Sequence, residues 1–422
     1  MRPVTPRGFR DVLFQEAAER EAVLSAIGVV FGAWGYAPVE TPVVEEYTVL
    51  AAGVGSAVDG TAFRLFDLDG NLLALRPEMT VPIARVAASR LAEEPGPHRV
   101  SYVAPVFREH ASLRGQARQF TQAGIELVGT GGPEADAEVV ALAVEALEAA
   151  GLESYMVGIG TAEVLRDLID ASQAGEDWGA AVIAAAHERN LVELDRLAAV
   201  PDVRPEVARA LATAPRIRGG AEALEAAQAL LVACGCGAAL RSLRETYRVL
   251  EGLGYADRVT VDFGIMRSFD YYTGFVLEAY APGLGLPLGG GGRYDRLLAS
   301  FGAPAPAAGF ALGLERVMIA LAEQGRTPTV RGLDAVVGGE DAVAVFSAAR
   351  ALRAAGWRVL LAVGHSGLEL VREAERREAA EALIVEGEAI VRLDRAGELA
   401  VPLERPLPGP PGATWARKGG AR

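Results

Sequence analysis

Glu78, Gln122 and Glu126 each stand in or beside an apolar run that reads as a strand. A polar group buried without a partner costs ~1–3 kcal/mol. Two acids and an amide on such segments therefore point to a ligand that satisfies them. Their oxygens accept hydrogen bonds, which suits the ammonium group of an amino acid. Thr80 adds a hydroxyl beside Glu78, within Arg76-Pro77-Glu78-Met79-Thr80. Tyr271 and Tyr272, in Arg267-Ser268-Phe269-Asp270-Tyr271-Tyr272-Thr273-Gly274, offer ring surfaces and hydroxyls. Arg108, Arg267 and Arg316 can clamp a carboxylate or phosphate through two parallel N–H bonds. Gly289 to Gly292 would let backbone approach a ligand closely, or else form a flexible hairpin.

The elements that must position these groups follow from periodicity. Residues 16–34 read as an amphipathic helix through Val23, Ile27, Val30, Phe31 and Trp34. Residues 63–67 and 72–76 read as two strands around a turn, followed by a helix from about Thr80 to Leu91. Val100–Arg108 and Phe120–Val128 read as strands, and Pro133 opens a helix to Ala150. A helical insertion occupies about 160–255. Strands return at 259–263 and 275–280, and a helix ends near Gln324. Past the linker 325–332, short apolar strands at 335–337, 359–363 and 382–385 alternate with helices 341–355 and 366–380. The expected organisation is α+β: a largely antiparallel sheet core over 1–325, a small α/β domain over 331–404, and a disordered tail over 405–422.

Composition narrows the class. The chain has 422 residues and a net charge of −14, which argues against a general nucleic-acid binder. No apolar run approaches the ~20 residues of a membrane span, and no apolar segment of a signal peptide follows the start. Cys234 and Cys236 suit neither a disulfide framework nor a zinc site; they read as small core residues in a reduced cytoplasm. No metal or cofactor is expected.

The segments Pro6–Asp11, Arg76–Thr80, Phe107–Gln122, Arg267–Gly274, Gly291–Asp295 and Ala308–Arg316, in this order, resemble the class II aminoacyl-tRNA synthetase fold and its histidyl-tRNA synthetase branch. The resemblance implies that Glu78, Thr80, Gln122 and Glu126 surround the amino group of histidine, with Tyr271 and Tyr272 against the imidazole. It implies that Arg108, Arg267 and Arg316 meet carboxylate or phosphate groups.

Several residues depart from that branch. His110 stands where the synthetases have a glutamate that supports adenine, Ala111-Ser112 replaces an Arg-Pro pair, Gln116 follows Gly115 in place of a basic residue, and Thr121 replaces a histidine. The C-terminal domain, over 331–404, holds 9 Arg against 13 Asp+Glu, and its aromatic pair Phe346 and Trp357 reads as core. An RNA-reading face should be basic or aromatic. Arg216–Leu224 and the variant Arg76–Thr80 motif are similar to the regulatory subunit of short-form ATP phosphoribosyltransferase, a paralogue of the synthetases.

That resemblance implies a non-catalytic chain. It would form a homodimer within a hetero-oligomer with the short catalytic subunit, enable that subunit in the first step of histidine biosynthesis, and take histidine as effector; tRNA is not expected. The alternative is a histidyl-tRNA synthetase, favoured by Arg108, Arg267 and Arg316 and opposed by the altered loop and the acidic C-terminal domain.

Overall fold

The computed structural model describes residues 4–54, 60–109, 117–265, 272–328 and 330–403. The chain divides into two compact units, Met1–Pro328 and Thr329–Arg422.

The first unit is built on a nine-stranded sheet. Its strands are β1 (Ala37–Pro38), β5 (His98–Phe107), β6 (Gln119–Val128), β7 (Met156–Thr161), β8 (Arg218–Gly219), β9 (Val259–Asp262), β10 (Phe275–Tyr280), β11 (Gly289–Arg293) and β12 (Ala307–Gly313). They lie in the order β1-β5-β6-β12-β11-β10-β7-β9-β8. Only β1–β5 and β7–β9 pair in parallel. A small antiparallel sheet of β2 (Val44–Glu46), β3 (Arg64–Phe66) and β4 (Leu72–Leu75) stands apart from it.

Alternation along the strands separates two faces. One register row, Ile125–Phe310–Gly291–Leu277–Ile159, crosses five strands. Its side chains pack in the main core with the helices Phe14–Ala33 and Pro133–Ala149. On the first helix Val23, Ile27 and Phe31 are buried, as their spacing predicts. Trp34 is only half-buried, and its indole N–H donates to Glu145 at 2.7 Å. The helix from Thr80 runs to Val86 and then loosens into a π-turn, Ala87–Leu91.

The glycine run is neither hairpin nor loop: it is β11, a central strand. A methyl group on Gly289 or Gly291 would run into the carbonyls of Ala311 and Gly309 on β12. Glycine is tolerated here because the neighbouring backbone comes so close.

Between β7 and β9 the chain is mostly helical, from Glu163–Ser172 to Arg241–Gly252, with the two-residue β8 against β9. Cys234 and Cys236 are buried in this region as free thiols, not joined in a disulfide. Among the described residues no helix is long and apolar enough to cross a membrane.

The second unit holds β13 (Ala335–Gly339), β14 (Val359–Val363), β15 (Glu381–Glu386), β16 (Ala389–Leu393) and β17 (Leu399–Pro402), in the order β14-β13-β15-β16-β17. The three strands read from the sequence pair in parallel, flanked by helices Ala342–Ala354 and Gly367–Arg376. Two antiparallel strands, β16 and β17, extend them. Trp357 is core, but Phe346 is 56% exposed. Its helix turns Val345, Ala348, Ala349 and Leu352 inward, which leaves Phe346 on the outer side. The tail expected over 405–422 lies outside the described residues.

Candidate functional site

The site lies on the other face of the main sheet. Gln122, Gly124 and Glu126 alternate onto that face from β6. Their register partners are Ala104, Tyr102 and Val100 on β5, and Gly313, Ala311 and Gly309 on β12. Gly309 in turn faces Gly292, and Ala311 faces Gly290. The floor beside Glu126 therefore carries almost no side chains, which leaves room for a ligand.

Glu126 is 1% exposed. It accepts a hydrogen bond from the Thr80 hydroxyl at 3.0 Å, one from the Tyr102 hydroxyl at 3.2 Å, and a short one from Tyr294. Burial pushes its carboxyl up to about 8, Glu78 adds to the rise, and the three hydroxyls oppose it. Tyr102 rises well above the ordinary phenol range through burial and through Glu126. A side chain on Gly309 would collide with the Glu126 carboxylate, and one on Gly124 would strike the Phe310 carbonyl and the Tyr102 hydroxyl.

Glu78 is buried and holds the start of the helix Thr80–Val86. One carboxylate oxygen accepts the Thr80 N–H at 2.7 Å, the other the Val81 N–H at 2.8 Å. These N–H groups have no partner within the helix, so Glu78 satisfies them and complements the helix dipole. Burial raises its pKa, while the two N–H bonds, the Thr80 hydroxyl and Arg108 pull it back. A carboxylate carries about four lone-pair sites, so this role leaves acceptor capacity for a ligand.

Gln122 is the informative residue. Its side-chain oxygen is buried and has no hydrogen-bond partner among the described residues, a state native proteins rarely leave unexplained.

Arg76, first of its motif, is a structural clamp. It donates to the Thr41 carbonyl at 2.7 Å, the Thr41 hydroxyl at 3.0 Å, and the carbonyls of Pro42 and Pro105 at 3.2 and 3.0 Å. Those bonds fix the turn that presents Glu78. Arg108 donates to the Pro77 carbonyl at 2.8 Å and lies 5.1 Å from the centre of the Phe120 ring. Arg316 donates to the Pro287 carbonyl at 2.7 Å, and its stem passes Gly313, the register partner of Gln122. Thr121 is fixed from both sides, its N–H on Glu315 at 2.9 Å and its hydroxyl accepting from Arg20 at 3.1 Å. Tyr272 is buried, with its ring against Gly292. Arg267 and Tyr271 lie outside the described residues, as do His110, Ala111, Ser112 and Gln116.

Direct hydrogen bonds thus join Glu126 to Thr80, and Thr80 to Glu78. Gln122 and Tyr272 share the same face of the sheet. Tyr102 and Tyr294 complete the site and were not foreseen. Tyr294 lies in the segment Gly291–Asp295, so a signal for it existed. Tyr102 becomes visible only through its register with Gly124.

Arg293 organises the far side. It donates to Asp136 at 2.9 and 2.6 Å and to Asp295 at 3.0 Å, with Arg293 and Asp136 both buried. Burial lifts Asp136 to about 6 against the pull of Arg293. A separate cavity of ≈ 260 Å³, between the helical region and the sheet, is lined by Leu165, Leu168, Ile183 and His187 and meets the site face at Tyr272 and Val276. Among the described residues no group of three or more His, Cys, Asp or Glu is placed to hold a metal ion.

With this geometry in view, comparison with known proteins is decisive. A protein 42% identical to this chain over 396 residues, from Symbiobacterium thermophilum, is an ATP phosphoribosyltransferase regulatory subunit; the match covers 90% of this chain and 97% of that one. The regulatory subunit of Moorella thermoacetica is 42% identical over 359 residues, 84% of this chain and 91% of its own. The chain belongs to the ATP phosphoribosyltransferase regulatory subunit family. That family shares its fold with the synthetases, and the family model described as histidyl-tRNA synthetase matches residues 8–317. A solved structure from Bacillus halodurans, titled as an ATP phosphoribosyltransferase regulatory subunit/histidyl-tRNA synthetase, aligns with a TM-score of 0.80 at 30% identity, covering 91% of this chain and 98% of that one. The histidyl-tRNA synthetase of Nostoc sp. aligns with a TM-score of 0.78 at 24% identity, over 95% of this chain and 96% of its own, and so shares the fold. The α+β, class II synthetase-like fold class and the family read from the motifs are both borne out.

Proposed function

We propose that this chain is the non-catalytic regulatory subunit of a short-form ATP phosphoribosyltransferase. It joins separate catalytic subunits in the cytoplasm, is required for their condensation of ATP with phosphoribosyl pyrophosphate, and conveys feedback by histidine. The observation that carries this reading is similarity at 42% identity along 97% of a relative's length, to a protein of that name. The described part of the site is compatible with it. Glu78, Gln122 and Glu126 offer acceptors to the ammonium of histidine, Thr80 orients Glu126, Tyr272 offers a ring surface, and Arg108 and Arg316 offer donors to its carboxylate or a nearby anion; the family resemblance adds Tyr271 and Arg267 to these roles. In this reading 1–325 is the synthetase-like core with its helical insertion at about 160–255, and 331–404 is a remnant of an anticodon-binding domain.

Reconstitution is the test. The short catalytic subunit is assayed alone and with this chain, with and without histidine. Activity that needs the chain and falls with histidine supports the reading; an equally active catalytic subunit without it refutes the regulatory role. The second reading, a histidyl-tRNA synthetase, draws on the family-model match over 8–317. Histidine-dependent pyrophosphate exchange and tRNA charging test it directly, and robust charging would replace the first reading.

A further inference from the structure

The helix Glu163–Ser172, first of the helical region, grips the segment that leads into β10. Tyr272, Thr273 and Gly274 precede that strand, which starts at Phe275, so their backbone groups need partners outside its ladder. Three consecutive carbonyls turn to the same helix start. The Ala162 N–H donates to the Gly274 carbonyl at 2.9 Å. One turn along, the two terminal nitrogens of Arg166 donate to the Thr273 carbonyl at 2.9 Å and, in a short bond, to the Tyr272 carbonyl. The fixed fork of a guanidinium suits two neighbouring acceptors. Arg166 is half-buried and lines the cavity between the helical region and the sheet.

The other side of this segment is tied to the pocket. Thr273 donates its N–H to the Arg293 carbonyl at 2.7 Å and its hydroxyl to the same oxygen at 3.3 Å. That hydroxyl accepts the Asp295 N–H at 3.1 Å. Arg293 and Asp295 flank Tyr294, which donates to Glu126. Tyr272 is buried with its ring against Gly292, and its phenol bears electrostatically on that of Tyr102, the other tyrosine on Glu126. A tyrosine hydroxyl lies far from its own backbone, so a small rotation at 272–273 swings it through a larger arc. Binding sites need their groups held to about 0.5 Å.

We propose that Arg166 is a positioning residue for the pocket: from the helical region it fixes the backbone of Tyr272 and Thr273, and so places the Tyr272 hydroxyl for a bound amino acid. The inference rests on the reading that histidine binds here. It makes the docking of the helical region part of the affinity for the effector, with Arg166 acting through the backbone of other residues.

The test has two arms, both on the full chain. Without histidine, amide hydrogen exchange over 272–280 is compared in wild type and Arg166→Gln. The variant should exchange about tenfold faster there, and unchanged exchange overturns the proposal. In calorimetry, Arg166→Gln should bind histidine about tenfold more weakly. Tyr272→Phe has no hydroxyl to place, so adding Arg166→Gln to it should cost no more than about twofold further. Losses that simply multiply overturn the proposal, because Arg166 would then act without Tyr272. Arg189→Gln separates positioning from general loosening. Arg189 ties the same helical region further along β10, to Glu278 and to the Tyr280 hydroxyl at 3.1 Å. Its loss should leave histidine affinity within about twofold, and a loss equal to that of Arg166→Gln overturns the proposal. Should Arg166→Gln fail to fold, Arg166→Lys, which keeps the charge and gives up the fork, carries both arms. A wild type that binds no histidine, alone or assembled with the catalytic subunit, removes the histidine reading and the proposal with it. A wild type that binds histidine while its affinity ignores Arg166 sinks the proposal and leaves the histidine reading standing.

Discussion

Replacing Glu126 by glutamine should stabilise the empty protein, and by more at high pH than at low. The carboxyl is raised from an ordinary 4.5 to about 8 in the folded chain. Between those values the folded state holds a proton that the unfolded chain gives up. Stability from this group is therefore fully present below about pH 4.5, falls as pH rises, and levels off above about 8. At ~1.36 kcal/mol per pKa unit, the roughly 3.5 units between 4.5 and about 8 set a ceiling of roughly 5 kcal/mol. Relaxation and water entry reduce this, since buried sites respond with an effective dielectric well above that of dry protein, so 1–3 kcal/mol is the expected scale. Glutamine does not ionise and keeps a carbonyl oxygen for the hydroxyls of Thr80, Tyr102 and Tyr294. The assay is thermal unfolding of wild type and Glu126→Gln without histidine, from pH 5 to 8.5, read on the transition of the 1–328 unit. Asp136 titrates in both proteins, so most of its effect cancels in the difference; Glu78 is coupled to Glu126, so the gap reports the two acids together. The gap in Tm should widen steadily up to about pH 8. A gap that stays flat refutes the reasoning, because Glu126 would then be ionised in the empty pocket.

Arg293→Ala strands the buried Asp136 carboxylate and should cost about 3–5 kcal/mol in urea unfolding, whereas replacing both partners with apolar residues of similar volume should cost much less. Glu78→Ala leaves the N–H groups of Thr80 and Val81 unpaired and should cost about 1–2 kcal/mol; a loss below 0.5 kcal/mol would mean water replaces the cap. Glu126→Ala should weaken histidine binding at least tenfold, about 1.4 kcal/mol, and equal affinity would place feedback at another site. The isolated chain should scatter light as a dimer at micromolar concentration, because β1 is an edge strand among the described residues and offers a pairing edge to a second copy; a clean monomer contradicts this.

How much of this was readable beforehand depended on the kind of signal. The strands carrying Gln122 and Glu126 and the parallel strands of the second unit were legible, because alternation and apolar runs are local properties. The antiparallel β16 and β17 were missed: Ala389–Leu393 and Leu399–Pro402 are short and follow tight polar turns, with little periodicity of their own. Phe346 shows the opposite error, an aromatic assigned to the core although its helix buries a different side. The glycine run at 289–292 was ambiguous in principle. Nothing in four glycines tells a hairpin from a central strand; only the closeness of β12 does.

The site follows the same division. Its acids announced themselves by standing in apolar surroundings, but the groups that set their protonation did not. A tyrosine in an apolar strand looks like ordinary core until the register shows what lies across from it. Tyr102 is opposite Gly124, and the missing side chain there lets its hydroxyl reach Glu126 on the diagonal. Tyr294 reaches the same carboxylate from the end of β11, the strand that only glycines could build. The chemistry of Glu126 thus depends on glycines at 124 and 309, residues with no chemistry of their own. Replacing Tyr102 by phenylalanine should accordingly remove one hydroxyl from Glu126 and raise its pKa further. In the pH series above, the Tm of Tyr102→Phe should then fall with pH over a range that extends beyond the wild-type limit of about 8. If its pH dependence ends where the wild type's does, Tyr102 plays no part in setting the acid, and burial alone accounts for Glu126.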